Sequence, residues 1–184
     1  MRHLWLLLGL GTVGCQPNTT RPEFGPLPDA PGTEVRLSIG EATRRLAEAL
    51  RASSIPISRV MLRDGYLETG WFDSKTGRPA AGRPLGQRTV RVRAWADPGR
   101  PGSSQLTVET SYRPLVDPSL PQRELERQVP RDHPVAVKVE AVLRQLVERF
   151  GGTPPPQAVP AKPAGDSARA PRPKIDSARV APPR

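Results

Sequence analysis

The sequence predicts an α+β domain in which two helices cover a small antiparallel sheet of about three strands. Three observations predict it. Apolar residues recur at helical spacing in two stretches, 39–52 and 135–150. Segments between them alternate apolar and polar residues, as half-buried strands do. Pro-rich stretches without any period flank this region, and we expect them to be disordered.

The first helix is expected at about 39–52. Ser38 and Glu41 stand at the spacing of a capping box, in which each side chain bonds the other residue's backbone. Residues after them place apolar side chains on one face, namely Ala42, Leu46, Ala49 and Leu50. The run 53–56, Ser-Ser-Ile-Pro, ends the helix.

Three strand candidates follow. Residues 58–72 form either one bent strand or a small hairpin around Asp64-Gly65. Residues 88–96 and 105–112 alternate cleanly, and a turn at 97–99 separates them. We therefore expect the last two segments to pair in antiparallel fashion.

A polar, Pro-rich stretch at 113–131 leads to the second helix. Asp132 is the expected cap, and Pro134 falls in the first turn, where its missing N–H costs nothing. The apolar stripe that follows runs to Phe150, and Gly151-Gly152 ends it. The folded domain is therefore expected at 34–151.

The N-terminus predicts export. A short basic start precedes an apolar run at 4–11, which is too short for a bilayer that needs roughly 20 apolar residues. Thr12-Val13-Gly14-Cys15 then resembles the lipobox of bacterial lipoprotein signal peptides. The resemblance implies a signal peptide at 1–14 and lipidation of Cys15, the single cysteine. Gln16 after it implies the outer membrane, with the protein facing the periplasm.

The two flanks of the domain have separate expected roles. Residues 15–33 are rich in Pro, Gly, Asn and Thr, which predicts a lipidated tether. Residues 152–184 are Pro, Ala, Arg and Ser with few large apolar groups, which predicts a disordered tail. Two or three acyl chains on Cys15 would anchor the chain stably to the cell envelope.

A second resemblance lies in the Tyr66–Phe72 segment, YLETGWF. It is similar to a strand of helix-grip lipoproteins related to the accessory lipoprotein of the outer-membrane β-barrel assembly machine. In that family a long helix rests on a small antiparallel sheet. The resemblance implies a scaffold or assembly role without catalysis.

Catalytic, metal and cofactor sites are not expected. The sequence has no H-E-x-x-H, C-x-x-C, phosphate-loop or nucleophile-elbow motif. His133 is either a general base or a surface residue beside a helix cap, and the second interpretation is preferred. Glu68, Asp73 and Glu109 form either an acid pair or a solvated sheet edge, and again the second is preferred. We therefore predict a non-enzymatic protein.

The charge of the chain indicates anionic partners. Lys and Arg number 28 against 18 Asp and Glu, a net charge of +10. Arg88, Arg91, Arg93 and Trp95 are candidate anion-binding residues on an open sheet face, although Arg stems that merely cover Trp95 would give the same pattern. Export argues against nucleic acid. The leading expectation is a protein-binding or scaffold domain, and the alternative is a module for anionic envelope polymers or lipid headgroups.

Overall fold

The computed structural model describes residues 21–82 and 84–155. Two α-helices, one short 3-10 helix at Gln122–Leu125 and eight strands make up this part of the chain. The helices are α1 (Ile39–Ala52) and α2 (Pro134–Phe150). The strands are β1 (Gly32–Val35), β2 (Ile57–Met61), β3 (Tyr66–Thr69), β4 (Phe72–Asp73), β5 (Thr89–Pro98), β6 (Ser104–Tyr112), β7 (Arg127–Gln128) and β8 (Gly152–Thr153).

All eight strands belong to one antiparallel sheet, so the prediction of a small, helix-grip-like sheet of about three strands is wrong. The strand order is β2-β3-β5-β6-β1-β8, while β4 pairs with β5 and β7 pairs with β6. The strands that sequence reasoning missed are two to four residues long. Alternation cannot be recognised over so few residues. Of these strands, β4 pairs along β5, β1 and β7 pair along β6, and β8 pairs with β1.

The central strands and the first hairpin follow the predicted pattern. β5 and β6 pair in antiparallel fashion over nine residue pairs. The 58–72 segment forms a hairpin, with β2 and β3 joined by a tight turn. Gly65 in this turn has φ +63° and lies against the Ala96 carbonyl, which leaves no room for a Cβ. Its carbonyl accepts a 2.6 Å hydrogen bond from Ala96 N–H, which ties the hairpin to β5.

The two helices pack on one face of the sheet, which we call the inner face. Apolar side chains from α1 and α2 meet alternate residues of β5 and β6 in one continuous core. The central members of this core are Leu46, Leu50, Val90, Val92, Leu106, Val108, Val139 and Leu143. Burial of this apolar surface is the main stabilising term for the domain.

The helix ends depart from the predicted caps. α1 begins after Ser38 as expected, but the Ser38 side chain makes no cap hydrogen bond, and Glu41 pairs instead with Arg44 and Arg45. α2 begins after His133 rather than Asp132, because His133 Nδ1 accepts a 3.2 Å hydrogen bond from the backbone of the first turn. The capping box is therefore absent, and the cap of α2 is the imidazole.

The domain extends beyond its predicted limits of 34 and 151 at both ends. Residues 21–33, expected as part of a tether, contact the sheet and include the first half of β1. β8 follows α2 and pairs with β1. Neither α-helix in the described ranges has the length and apolar character needed to cross a membrane. The predicted signal peptide, Cys15 and the tail from residue 156 lie outside the described residues.

Candidate functional site

Two chain segments cover the outer face of the sheet, opposite the helices. The first is residues 21–28, which we call the N-terminal strap. Arg21 pairs with Asp97 at 2.7 Å, and the Leu27 N–H donates to Glu109 Oε2 at 2.9 Å. The second is the segment between β6 and β7 that contains the 3-10 helix. It contacts the strap through Arg123, whose Nη2 donates to the Gly25 carbonyl at 2.7 Å. The outer face is therefore not the open surface that the sequence predicts.

The four predicted anion-binding residues do not share one exposed surface. Trp95 is fully buried and Arg93 is only 4% exposed, because the strap and the 3-10 helix lie over β5. Arg88 is exposed, and its Nε donates to Asp73 Oδ2 at 2.6 Å. Arg91 is half-buried and forms no ion pair with any carboxylate in the part of the chain described. Among these three arginines, Arg91 is therefore the one that no described acid pairs.

A buried network of four charges lies under the cover. Arg93 donates to Glu109 Oε1 at 2.9 Å and to Glu126 Oε1 at 3.0 Å. Arg123 donates to the same Glu109 oxygen at 2.6 Å and to Glu126 Oε2 at 3.0 Å. Two cations and two anions balance, so the network carries no net charge, and Arg93 Nε, which has no hydrogen-bond partner, lies 3.9 Å from Glu68 Oε2. Both glutamates are essentially buried.

The network is charged at neutral pH. Burial alone would raise the pKa of Glu126, but the adjacent Arg93 and Arg123 outweigh burial, and the net shift is downward. Burial likewise opposes the charge on Arg93, yet hydrogen bonds to Glu126 and Glu109 raise its pKa overall. Each partner therefore stabilises the ionised form of the other.

Phe24 of the strap covers the two arginines of the network. Its ring centre lies 5.1 Å from the Arg93 guanidinium carbon and 4.6 Å from that of Arg123. Both distances fall within the range of cation–π attraction. The strap is thus held to the sheet at its aromatic residue and at the Leu27 backbone.

The three carboxylates considered as an acid pair are each matched to an arginine. Glu68 accepts a 3.0 Å hydrogen bond from the Tyr66 hydroxyl and pairs with Arg59 at 3.4 Å. Glu109 belongs to the buried network, and Asp73 is the last residue of β4. Hydrogen bonds from the Thr76 backbone and from Arg88 lower the pKa of Asp73 to about 2.

Tyr66, whose hydroxyl donates to Glu68, is buried. The phenol packs edge-on against Trp95 with ring centres 5.5 Å apart. Burial, and then the negative charge of Glu68, raise its pKa well above the ordinary value. Tyr66 and Glu68 line a shallow cleft of about 460 Å³ on the outer face, together with Phe24, Arg91 and Arg123.

Two arginines on the same face contact a tryptophan and form no ion pair with a described carboxylate. We call this group the Trp71 cluster: Trp71, Arg91 and Arg113. The guanidinium carbons of Arg91 and Arg113 lie 5.1 and 4.9 Å from the Trp71 ring centre. Their Nε atoms are buried without a hydrogen-bond partner. Burial, and then repulsion from Arg93, lower the pKa of Arg91. Sequence reasoning found Arg91 by strand alternation but had no signal for Arg113.

Exposed apolar side chains lie beside the Trp71 cluster. A 2.7 Å hydrogen bond from Gly86 N–H to the Arg113 carbonyl joins the loop before β5 to the segment after β6. These two segments expose large apolar side chains, with Leu115 at 52%, and we call the group the apolar loops: Leu85, Leu115, Val116 and Leu120. Exposed apolar side chains gathered in this way are typical of protein interaction sites.

His133 is engaged at both ring nitrogens. Nδ1 accepts from the Val135 N–H, and Nε2 lies 3.0 Å from the Gln87 carbonyl, so Nε2 must carry the proton. His133 is itself the cap and is buried, so the preferred interpretation of a surface residue beside the cap is wrong. Within residues 21–82 and 84–155, no group of three or more His, Cys, Asp or Glu could hold a metal ion.

No protein-family model matches the chain, and no curated protein matches its sequence. The function must therefore be argued from the residues. The carboxylates of the outer face are neutralised by arginines, while two guanidinium groups and several apolar side chains lack partners. This arrangement can bind a ligand that carries both anionic and apolar groups.

Proposed function

We propose that this chain is an envelope lipoprotein, lipidated on Cys15 and anchored in the outer membrane facing the periplasm. Its folded domain is a non-enzymatic scaffold that binds another envelope protein, and outer-membrane assembly is the setting we expect. The lipobox-like Thr12–Cys15 sequence supports the anchor. The apolar loops support the binding role.

The exposure of the apolar loops is the observation that carries the proposal. The exposed fractions of Leu85, Val116 and Leu120 are 40–44%, although the domain has a well-filled core on its other face. Full burial of one such side chain contributes about 1.5–3 kcal/mol. A partner that covers several of them would therefore gain a substantial part of its binding free energy here.

Site-specific crosslinking in intact cells tests the binding role. A photoreactive phenylalanine analogue placed at Leu115 or at Leu120 should yield an adduct with one envelope protein. The matched control is the same analogue at Val137, which is 49% exposed on α2 and faces away from the outer face. No adduct above the Val137 control would overturn the proposed binding surface.

Metabolic labelling tests the anchor separately. Cells that express the chain and take up an alkyne-bearing fatty acid should incorporate label, and Cys15→Ser should abolish it. Mass spectrometry of the mature protein should find an N-terminus at Cys15 that carries acyl chains. An unmodified cysteine at that position would contradict the anchor while leaving the crosslinking result unaffected.

A further inference from the structure

We propose that the Trp71 cluster is a receptor site for a carboxylate of the partner protein, presented by a segment that carries acidic and apolar side chains together. The inference rests on the proposed function, because the apolar loops border the cluster and the same partner would cover both. It adds the chemistry of the partner, which the proposed function leaves open.

The first argument is the distribution of charge on the outer face. The acids beneath the cover, Glu109 and Glu126, are paired with Arg93 and Arg123, and Glu68 is paired with Arg59. Arg91 and Arg113 form no ion pair with any of the described acids. The face therefore carries, at one tryptophan, two guanidinium groups that no described carboxylate contacts.

The second argument is the state of the two guanidinium groups. Each is half-buried and lies about 5 Å from the Trp71 ring, so much of its conformational freedom is already lost. Their buried Nε atoms have no acceptor, and the other two nitrogens of each group form no hydrogen bond within the described chain. A preorganised, unpaired guanidinium binds a planar carboxylate through two parallel hydrogen bonds. Partial burial strengthens that interaction compared with a solvent-exposed arginine.

The third argument is continuity with the apolar loops. Arg113 stands two positions before Leu115 and three before Val116. Its carbonyl accepts from Gly86 N–H, directly after Leu85. One short segment of a partner could therefore place an acid on the Trp71 cluster and apolar side chains on the loops. A lipid phosphate would satisfy the cations alone, whereas an acidic–apolar peptide satisfies both surfaces.

Fluorescence anisotropy with synthetic peptides tests the inference. The probes are a labelled peptide of alternating leucine and glutamate and a counterpart with glutamine in place of every glutamate. The protein is the full chain in detergent. We expect the glutamate peptide to bind at least about tenfold more tightly, since charge-assisted hydrogen bonds exceed neutral ones. Binding should also change the fluorescence of Trp71, and Trp71→Phe should remove that change.

Two charge-removing variants and one control locate the site. Arg91→Gln and Arg113→Gln should each weaken binding of the glutamate peptide about tenfold. Arg144→Gln removes the same charge from an exposed position on α2, on the opposite side of the domain, and should leave binding within about twofold. Should Arg91→Gln fail to fold, Arg113→Gln decides the matter, because Arg113 lies beyond the end of β6.

Three results would overturn the inference. Equal binding of the two peptides would remove the role of the carboxylate. Equal losses in Arg113→Gln and Arg144→Gln would indicate general charge attraction. Binding to phosphatidylglycerol vesicles that depends on Arg113, without binding to the peptide, would assign the cluster to lipid phosphate. The crosslinks from Leu115 and Leu120 do not depend on any of these three results. Failure of the carboxylate site is therefore distinguishable from failure of the proposed function.

Discussion

The two faces of the sheet are covered in different ways. The inner face is closed by two amphipathic helices, and its contacts are almost wholly apolar. The outer face is closed by the N-terminal strap and by the 3-10 helix region, which are held through Arg93, Arg123 and two glutamates. The same strand, β5, supplies Val92 to one face and Arg93 to the other.

This difference separates two sources of stability. Apolar burial on the inner face is non-directional and tolerates small shifts of the helices. The buried charges on the outer face require defined partners, because an unpaired buried charge is costly. We therefore expect the outer cover to fix the position of the strap precisely, and expect it to be the more sensitive face to single substitutions and to pH.

Removal of Arg93 is expected to have the largest effect. Arg93→Ala leaves two buried glutamates short of a cation, and the free energy of unfolding should fall by about 3–5 kcal/mol. Urea denaturation measures this, with Arg44→Ala as the control, since that exposed arginine pairs only within α1 and should cost less than about 1 kcal/mol. Replacing Arg93, Glu109, Arg123 and Glu126 together by apolar residues should recover most of the loss, because no buried charge is then left unpaired. Equal costs for Arg93→Ala and Arg44→Ala would contradict the difference between the faces.

Truncation in the core should cost somewhat less and should not depend on charge. Leu143 is fully buried on α2, and Leu143→Ala should lower the free energy of unfolding by about 3 kcal/mol. Urea denaturation at pH 7 and at pH 4 should give the same difference from the parent protein. A pH-dependent cost at Leu143 would mean that the two faces are energetically coupled.

Loss of the strap's aromatic contact is expected to lower the free energy of unfolding less than truncation in the core. Phe24→Ala removes the ring that contacts Arg93 and Arg123, and the expected loss is about 1–2 kcal/mol. Limited proteolysis should then cut within residues 21–28 well before the domain unfolds. Glu23→Ala changes an exposed neighbour on the same strap and serves as the control. Unchanged protection of the strap in Phe24→Ala would show that the backbone bond at Leu27 is sufficient.

The smallest expected effect is the acid dependence that Glu126 contributes. Arg93 and Arg123 hold the pKa of Glu126 in the folded protein below its ordinary value of 4.5, so its stabilising contribution is fully present above about pH 4.5. That contribution is lost as the pH falls through the lower pKa of the folded state. Thermal unfolding from pH 7 to pH 3 should show the loss, and Glu126→Gln should have a shallower dependence. If the stability of Glu126→Gln falls with pH as steeply as that of the parent protein, groups other than Glu126 cause the acid sensitivity.

The long periodic elements of the fold were predictable from sequence. The helix predicted at 39–52 is confirmed with those bounds, and the antiparallel pairing of the segments around Val92 and Val108 is confirmed. β1, β4, β7 and β8 were not predictable, because a strand of two to four residues forms in response to a neighbouring edge rather than to its own pattern.

The candidate site was predictable only in part. Alternation along β5 placed Arg91, Arg93 and Trp95 on one face, and the structure has them there. Alternation says nothing about what covers that face, and the strap that buries Arg93 has the Pro-rich composition of a tether. Arg113 meets Trp71 only because β4, β5 and β6 lie side by side, which is a tertiary property.

The start of the strap determines how far the domain could stand from a bilayer. Arg21 is tied to Asp97, and only residues 16–20 separate it from Cys15. With the lipid on Cys15, as proposed, six residue steps can span at most about 20 Å. The domain would then stay within about 20 Å of the lipid anchor, close to the membrane surface, and could not reach further into the periplasm. Its partner would have to come to the membrane surface to meet it.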